Sequence, residues 1–178
     1  MENYRVAIVG ASGLIGQELI RILEQRHFPL AKLSLYATDD TAGKTVYSNG
    51  RSYQVKAVNN TAFQETDIVF FVAGDDSSRR LVPQAVDSGT TVIDSSSVFR
   101  QESHVPVVVP EINAADIQGH RGIIASPNCS TILLNMVLYP LHKVNPITRV
   151  IVSTYQTQLA AISARPRSRR WKSCPEPR

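Results

Sequence analysis

The sequence is poor in cysteine, with only Cys129 and Cys174 among its 178 residues, and these two stand far apart without metal-ligand spacing. This scarcity argues against a disulfide framework and against a zinc site, so we expect no metal. No apolar run reaches the roughly 20 residues that a membrane-spanning helix needs. The first residues also lack the basic segment and apolar core of a secretory signal. We therefore expect a cytoplasmic protein without a membrane partner.

The main part of the chain lacks excess positive charge, although the whole sequence carries a net charge of +4. Residues 165–178 hold six Arg and Lys side chains and one Glu, whereas the remaining residues hold thirteen basic and fourteen acidic side chains. A basic folded surface would favour nucleic-acid binding. Because the excess is confined to a tail of disordered composition, we expect no nucleic-acid partner.

Hydrophobic residues make up 43% of the sequence, enough for a packed core, and their pattern alternates between strand and helix. We predict strands over 4–9, 33–37, 52–58, 68–73, 91–94, 105–109, 122–125 and 149–155, with 52–58 as an antiparallel or edge strand. We predict helices over 14–26, 77–87, 114–117 and 130–139. Such alternation favours an α/β fold with a mostly parallel, doubly wound sheet of the Rossmann type.

A glycine-rich loop joins the first predicted strand to the first predicted helix. Glycines there let the backbone turn sharply and approach a pyrophosphate, while the helix N-terminus offers N–H groups and partial positive charge. The flanking strand and helix are the context that this motif requires. The candidate cofactor-binding residues are Gly10, Ser12, Gly13, Leu14, Ile15 and Gly16.

The end of the second predicted strand bears on the choice between NAD and NADP. An acidic residue at this place favours a free ribose 2′-hydroxyl, whereas hydroxyl and basic side chains favour a 2′-phosphate. Asp39 favours NAD, while Thr38, Thr41 and Lys44 favour NADP. The local residues leave the choice open, and Thr38 and Thr41 are candidate cofactor contacts.

Cys129 lies in the segment SPNCST (126–131), between a predicted strand and a predicted helix. The positive end of a helix dipole stabilises a thiolate, and free N–H groups there can hold an oxyanion. A nucleophilic cysteine facing a nicotinamide site would fit oxidation or reduction through a thioester. A small buried core cysteine is the alternative.

Five motifs together resemble the aspartate-β-semialdehyde dehydrogenase family: GASGLIG at the start, DSSSVFR at 94–100, VVPEIN at 108–113, SPNCST at 126–131 and STYQ at 153–156. The resemblance covers residues 4–156. It implies NADPH-dependent reduction of β-aspartyl phosphate, a small-molecule substrate, to aspartate semialdehyde on the path to lysine, threonine and methionine. Family members are typically homodimers, although the usual interface region lies beyond the matched residues.

The resemblance also implies roles for single residues. Cys129 resembles the nucleophile that forms the acyl-enzyme, and Gln156 resembles the glutamine that orients the intermediate. Arg100 resembles the arginine that meets the substrate phosphate, and Asn128 lies beside the nucleophile. A surface ion pair for Arg100 and a strand-end capping role for Gln156 are the alternatives.

The pattern changes after Gln156, and none of the four histidines lies in a family motif. We expect a dinucleotide-binding domain over 1–127, the start of a catalytic and dimerisation domain over 128–156, and a non-family, disordered tail over 157–178. Our hypothesis is a frameshift after Gln156, because residues 157–161 can be encoded by a string that reads Ala-Val-Ser-Gly in another frame. We expect the chain to be inactive alone; the alternative function is a non-catalytic relative that acts as a binding or interaction module.

Overall fold

The computed structural model describes residues 3–37, 42–48, 50–59 and 61–156. Within them the strands are β1 (Tyr4–Val9), β2 (Leu30–Ala37), β3 (Thr45–Ser48), β4 (Arg51–Ala57), β5 (Ile68–Phe71), β6 (Thr91–Asp94) and β7 (Ile123–Ala125). The helices are α1 (Leu14–Gln25), α2 (Asp75–Asp87), the single turn α3 (Pro110–Asn113), a 3-10 helix (Ala114–Gly119) and α4 (Cys129–Val144). The expected tail lies outside the described residues.

These strands form one sheet in the order β3-β4-β2-β1-β5-β6-β7. All neighbouring pairs are parallel except β3 and β4, which are antiparallel. The chain runs from β1 through β2 to the β3–β4 hairpin at the edge and then returns to the centre at β5. Loops that leave β1 and β5 therefore diverge and open a crevice at the carboxyl ends of these strands. The prediction of a doubly wound, mostly parallel sheet is confirmed.

The core consists of two apolar layers, one on each face of the sheet. The alternating side chains of β1 contribute to both: Ala7 and Val9 pack in the layer with α2, whereas Val6 and Ile8 pack in the layer with α1. These four side chains of β1 are at most 1% exposed. Burial of a valine or isoleucine contributes roughly 1.5–3 kcal/mol to folding, so the centre of the sheet is a rigid base for the loops above it.

Helix α4 differs from the other long helices because none of its residues is buried. Its most exposed large apolar side chains recur at helical spacing, and Leu133 and Val137 are 71% and 63% exposed. We call this surface the α4 apolar face; it consists of Leu133, Met136, Val137, Leu141 and Val144. A contiguous apolar surface of this kind is unusual on an isolated soluble domain.

Two strand predictions are wrong, and one strand was not predicted. Residues 105–109 make only a single bridge, Val107 to Ala125, because Pro106 on one side of it and Pro110 on the other have no N–H with which to extend the pairing. Residues 149–155 have no regular structure in the described chain, where Ile151 is 88% exposed and no neighbouring strand pairs with them. The unpredicted strand is β3, which takes the sheet edge next to β4.

The other elements agree with the predictions to within a few residues. Helix α4 continues through Pro140 to Val144 instead of ending near Tyr139. The expectation for 52–58 holds in part: β4 pairs antiparallel with β3, but it also pairs in parallel with β2 and so is not an edge strand. In the described part of the chain, no helix has both the length and the apolar character required to cross a membrane.

Candidate functional site

Gly10 ends β1 at a point where only glycine fits. Its φ of +96° is in the left-handed region, and a Cβ there would lie 2.8 Å from the backbone carbonyl carbon of Val72. The N–H of Gly10 donates to the carbonyl of Tyr36 at 2.9 Å, so the loop is also tied to β2. The loop after β1 is therefore held against the residue that follows β5, at the crevice between the two strands.

Gly13 and Gly16 shape the start of α1. Gly13 precedes the helix, and its N–H donates to the Gly10 carbonyl at 3.1 Å. Gly16 is buried, and a Cβ there would overlap the Gly10 carbonyl oxygen and lie 2.7 Å from Cα of Ala11. Helix α1 thus packs directly on the loop. Its first turn carries no acidic side chain, which leaves the positive end of the helix dipole uncompensated.

The remaining cofactor candidates divide between described and undescribed residues. Leu14 and Ile15 open α1 and are 67% and 56% exposed, so they lie outside the core. The Ser12 carbonyl accepts a hydrogen bond from Nε2 of Gln17 at 3.0 Å. Thr38 and Thr41, together with Asp39, lie outside the described residues.

Arg100 joins the ends of two strands. Its Nε donates to the Ser126 carbonyl at 2.9 Å, and its Nη2 donates to the Ser95 carbonyl at 2.7 Å. Ser95 follows β6 and Ser126 follows β7, so the guanidinium spans both carboxyl ends. The side chain is half-buried and forms no described ion pair, so the structure does not support a surface ion pair as its role. It lies at the base of the loop that carries Cys129.

Asp75 fastens the start of α2 to the loop after β6. Its carboxylate accepts from the Ser97 hydroxyl at 2.6 Å and from the Ser97 N–H at 3.0 Å. These hydrogen bonds hold the pKa of Asp75 below its usual value, and the positive charges of Arg100 and Arg79 act in the same direction. The carboxylate therefore stays ionised near neutral pH and fixes the loop that bears Arg100.

Asp94 is fully buried beneath this loop. Its carboxylate accepts hydrogen bonds from the hydroxyls of Ser78, at 2.6 Å, and Ser96. The Asp94 backbone carbonyl accepts from the N–H of Ser126 at 2.8 Å. Asp94 thus connects α2, β6 and the strand end that leads to Cys129. These hydrogen bonds explain why the polar residues Asp94 and Ser96 can be buried here.

Cys129 is the first residue of α4 and is exposed. Asn128 caps the helix: its Oδ1 accepts from the N–H of Ser130 at 3.0 Å, and the Cys129 Sγ lies 3.7 Å from the same oxygen. Nε2 of Gln156 donates to the Ser130 hydroxyl at 2.7 Å. Gln156, far from Asn128 and Cys129 in sequence, therefore joins them in one hydrogen-bonded cluster, and the buried-core alternative for Cys129 does not hold.

The histidines lie elsewhere in the described structure. His27 follows the end of α1, and His142 lies in the last turn of α4, opposite the end that carries Cys129. Nδ1 of His120 accepts from the N–H of Gly122 just before β7, at the amino end of that strand. No group of three or more metal-ligating side chains occurs among the residues that the structure describes.

Sequence reasoning missed the residues that support the candidates. Ser130, Asp94 and Ser97 belong to the motifs, but no role was predicted for them. For Ser130 a signal existed, because an asparagine before a helix usually accepts from the residue two positions later. For Asp94 and Ser97 the contacts join distant elements and have no local signal.

Comparison with known proteins places this architecture in a family. Residues 5–120 match the family described as "Semialdehyde dehydrogenase, NAD binding domain". The chain is 46% identical over 157 residues to the aspartate-semialdehyde dehydrogenase of Synechocystis, covering 88% of this chain and 46% of that protein. The corresponding protein of Aquifex aeolicus is 45% identical over 157 residues, with 86% and 46% covered.

A solved structure gives the same result. The aspartate semialdehyde dehydrogenase II of Vibrio cholerae, in complex with ASA, is 38% identical with a TM-score of 0.76, covering 80% of this chain and 47% of that one. The chain thus spans about half the length of the relatives that it matches. It belongs to the aspartate-semialdehyde dehydrogenase family and contains that family's NAD-binding domain.

Proposed function

We propose that this chain supplies the nucleotide-binding part and the nucleophile of an aspartate-semialdehyde dehydrogenase, a cytoplasmic oxidoreductase that reduces β-aspartyl phosphate. The observation that carries this proposal is the cluster around Cys129. An exposed thiol at a helix N-terminus has two carboxamide side chains beside it, and an arginine lies at the base of the same loop. The family's relatives named aspartate-semialdehyde dehydrogenase support the substrate.

The proposed chemistry begins at sulfur. The Cys129 thiolate attacks the carbonyl carbon of β-aspartyl phosphate and the carbon–oxygen bond to phosphate breaks. Inorganic phosphate departs, and the aspartyl group remains as a thioester on Cys129. N–H groups at the start of α4 and the Gln156 carboxamide are the donors available to the developing oxyanion. Arg100 uses Nε and Nη2 on backbone carbonyls, so its Nη1 is left to meet the phosphate.

The residues around the crevice fit a nicotinamide dinucleotide. Gly10 and Gly16 leave no room for a Cβ, so the start of α1 packs closely on the loop, and the first turn of α1 carries no acidic group to repel a pyrophosphate. The proposed contacts are Gly10, Ser12, Gly13, Leu14, Ile15 and Gly16, with Thr38 and Thr41 at the ribose. When bound, the reduced cofactor, for which we propose NADPH, supplies the hydride that converts the thioester to the semialdehyde.

The proposed domain organisation has residues 1–127 as the nucleotide-binding domain and 128–156 as the start of the catalytic and dimerisation domain. We propose that the 178 residues alone do not turn over, because none of the described histidines joins the Cys129 cluster to transfer protons. General acid–base catalysis typically contributes 10²–10⁴-fold. Homodimer formation is proposed for the assembled enzyme.

Two measurements on the Cys174→Ser chain test the function. The first titrates NADPH and NADH by calorimetry, with Gly16→Val as the control that should bind neither. The second mixes the chain with β-aspartyl phosphate and measures phosphate release and the mass of the Cys129 peptide. One phosphate per chain and an acyl adduct that is absent from Cys129→Ser are expected. Cofactor binding without any adduct would instead support a non-catalytic binding relative. The absence of both cofactor binding and the adduct would refute the proposal.

A further inference from the structure

The hydroxyl of Ser130 lies between the two carboxamides of the Cys129 cluster. Its Oγ is 2.6 Å from Oδ1 of Asn128, and Nε2 of Gln156 is 2.7 Å from the same Oγ. The ring closes through Nδ2 of Asn128, which is 3.4 Å from Oε1 of Gln156. Three side chains from two separate segments thus form a closed set of hydrogen bonds next to the thiol.

The chemistry of the groups gives this ring one direction. Oδ1 of Asn128 also accepts from the Ser130 N–H, as a helix cap does, so this oxygen faces Ser130 and the hydroxyl must donate to it. The lone pairs of the Ser130 oxygen are then left for Gln156, which must present its N–H. The capping interaction therefore determines, through Ser130, which end of the Gln156 carboxamide faces the helix.

Little else in the described structure holds this glutamine. Gln156 is exposed, it belongs to a segment without regular structure, and its second hydrogen bond, to Asn128, is at the long end of the range. A long, exposed glutamine side chain populates many rotamers unless a partner restrains it. The short hydrogen bond to Ser130 is the restraint that the structure provides.

We propose that Ser130 is a positioning residue that orients the Gln156 carboxamide beside Cys129. The inference rests on the proposed function only for its effect on acyl transfer; the orientation itself can be tested separately. Ser130 does not touch the reacting atoms in this arrangement. It transmits the geometry of the α4 cap to the carboxamide.

The first test is nuclear magnetic resonance of the Gln156 side-chain amide in the Cys174→Ser chain, assigned with Gln156→Glu. Signals shifted from random-coil positions and restricted in motion are expected for the parent and for Ser130→Thr, which keeps the hydroxyl. They should collapse to random-coil values in Ser130→Ala. Thr131→Val, at the next and exposed helix position, is the matched control and should leave them unchanged. Unchanged Gln156 signals in Ser130→Ala would overturn the inference.

The second test is a double-mutant cycle on single-turnover acylation of Cys129 by β-aspartyl phosphate. Loss of one oriented hydrogen bond should slow acylation about tenfold in Ser130→Ala, with recovery in Ser130→Thr. In a Gln156→Ala background the Ser130→Ala change should have no further effect, because the group that it positions is gone. Additive effects of the two changes would contradict the inference. Alkylation by iodoacetamide, which needs no oriented carboxamide, should be equal in all variants.

The two tests separate this inference from the proposed function. If the amide signals respond as expected but the parent is not acylated, the proposed function fails and the positioning role of Ser130 stands. If the parent is acylated and Ser130→Ala leaves both readouts unchanged, the positioning role fails and the function stands. If circular dichroism shows that Ser130→Ala is unfolded, Asn128→Ser provides a folded alternative. It keeps a helix cap but removes the ring of hydrogen bonds.

Discussion

Both the backbone conformation and the close packing at Gly10 require a glycine. Its positive φ and the 2.8 Å approach of Val72 each act against a side chain. We expect Gly10→Ala to lower the free energy of unfolding by about 1–3 kcal/mol from conformation alone, and by more through the contact. Urea denaturation monitored by circular dichroism measures this loss of stability.

Gly89→Ala is the control for that experiment. Gly89 has a φ of +79°, similar to that of Gly10, but no atom lies within 4 Å of the point that a Cβ would occupy. It should therefore show the conformational cost without the contact cost. Equal losses at the two positions would mean that the approach of Val72 contributes nothing.

Asp75 gives the fold a dependence on pH in the acidic range. Because hydrogen bonds from Ser97 lower its pKa in the folded state, the ionised carboxylate stabilises the fold above its ordinary pKa of about 4. This contribution is lost as the pH falls through the lower folded value. We expect Asp75→Asn to reduce stability by a constant amount from pH 7 to about 5 and by progressively less below about 4.

Urea midpoints measured across this range test the prediction. Asp76→Asn is the matched control, because Asp76 is also in the first turn of α2 but makes no described contact with Ser97. A stability difference for Asp75→Asn that stayed constant down to the most acidic pH at which the chain still folds would contradict the argument.

At this scale the sequence predicted residues with local signals and missed those defined by distant contacts. The glycine loop is recognisable because strand, loop and helix are consecutive. Arg100 was proposed only through family motifs, since its partners Ser95 and Ser126 come from different strand ends. The polar contacts of Asp94 depend on the packing of α2 against β6, which the residue pattern does not encode.

Among the elements, α4 begins with a side-chain cap. Oδ1 of Asn128 accepts from the N–H of Ser130, so Asn128→Ala should lower the free energy of unfolding by about 0.5–2 kcal/mol. Asn128→Asp can accept the same hydrogen bond and should retain most of the stability. Thermal denaturation of the two variants is the measurement, and equal melting temperatures for both would exclude a capping contribution.

The sequence predicted the start of α4 to within one residue but not its end. Pro140 favours a helix end, since an interior proline loses one backbone hydrogen bond and its ring clashes with the carbonyl four residues earlier, yet α4 continues for four residues beyond it. The strand expected over 149–155 did not form although its local pattern favoured it. Its β-branched residues have high strand propensity, but a strand also needs a neighbour with which to pair.

For the whole molecule, the α4 apolar face is the largest departure from a self-contained domain. Leu133 and Val137 are mostly exposed, as are Ile151 and Tyr155. We expect the isolated chain to self-associate as its concentration rises, and Leu133→Lys with Val137→Lys to reduce this without lowering the melting temperature. Sedimentation velocity over a concentration series is the measurement.

Tyr47→Lys is the comparison for this prediction. Tyr47 is 79% exposed but lies on β3, at the edge of the sheet and in a different element from α4. It should leave self-association unchanged. Equal effects of the Tyr47 and α4 changes would show that added charge, rather than loss of the apolar face, controls association.

The order of strands in the sheet also has a consequence for how the chain folds as it is synthesised. β1 emerges before the other described strands and occupies the centre, yet its partner β5 follows much later; the Arg5–Asp67 pair at their starts joins residues 62 positions apart. Only β3 and β4 pair as a local hairpin among the described strands. Pairing of such distant segments slows folding. The crevice between β1 and β5 therefore forms only after β5 has been made, so a nucleotide that binds at the proposed site would stabilise the protein only late in its folding.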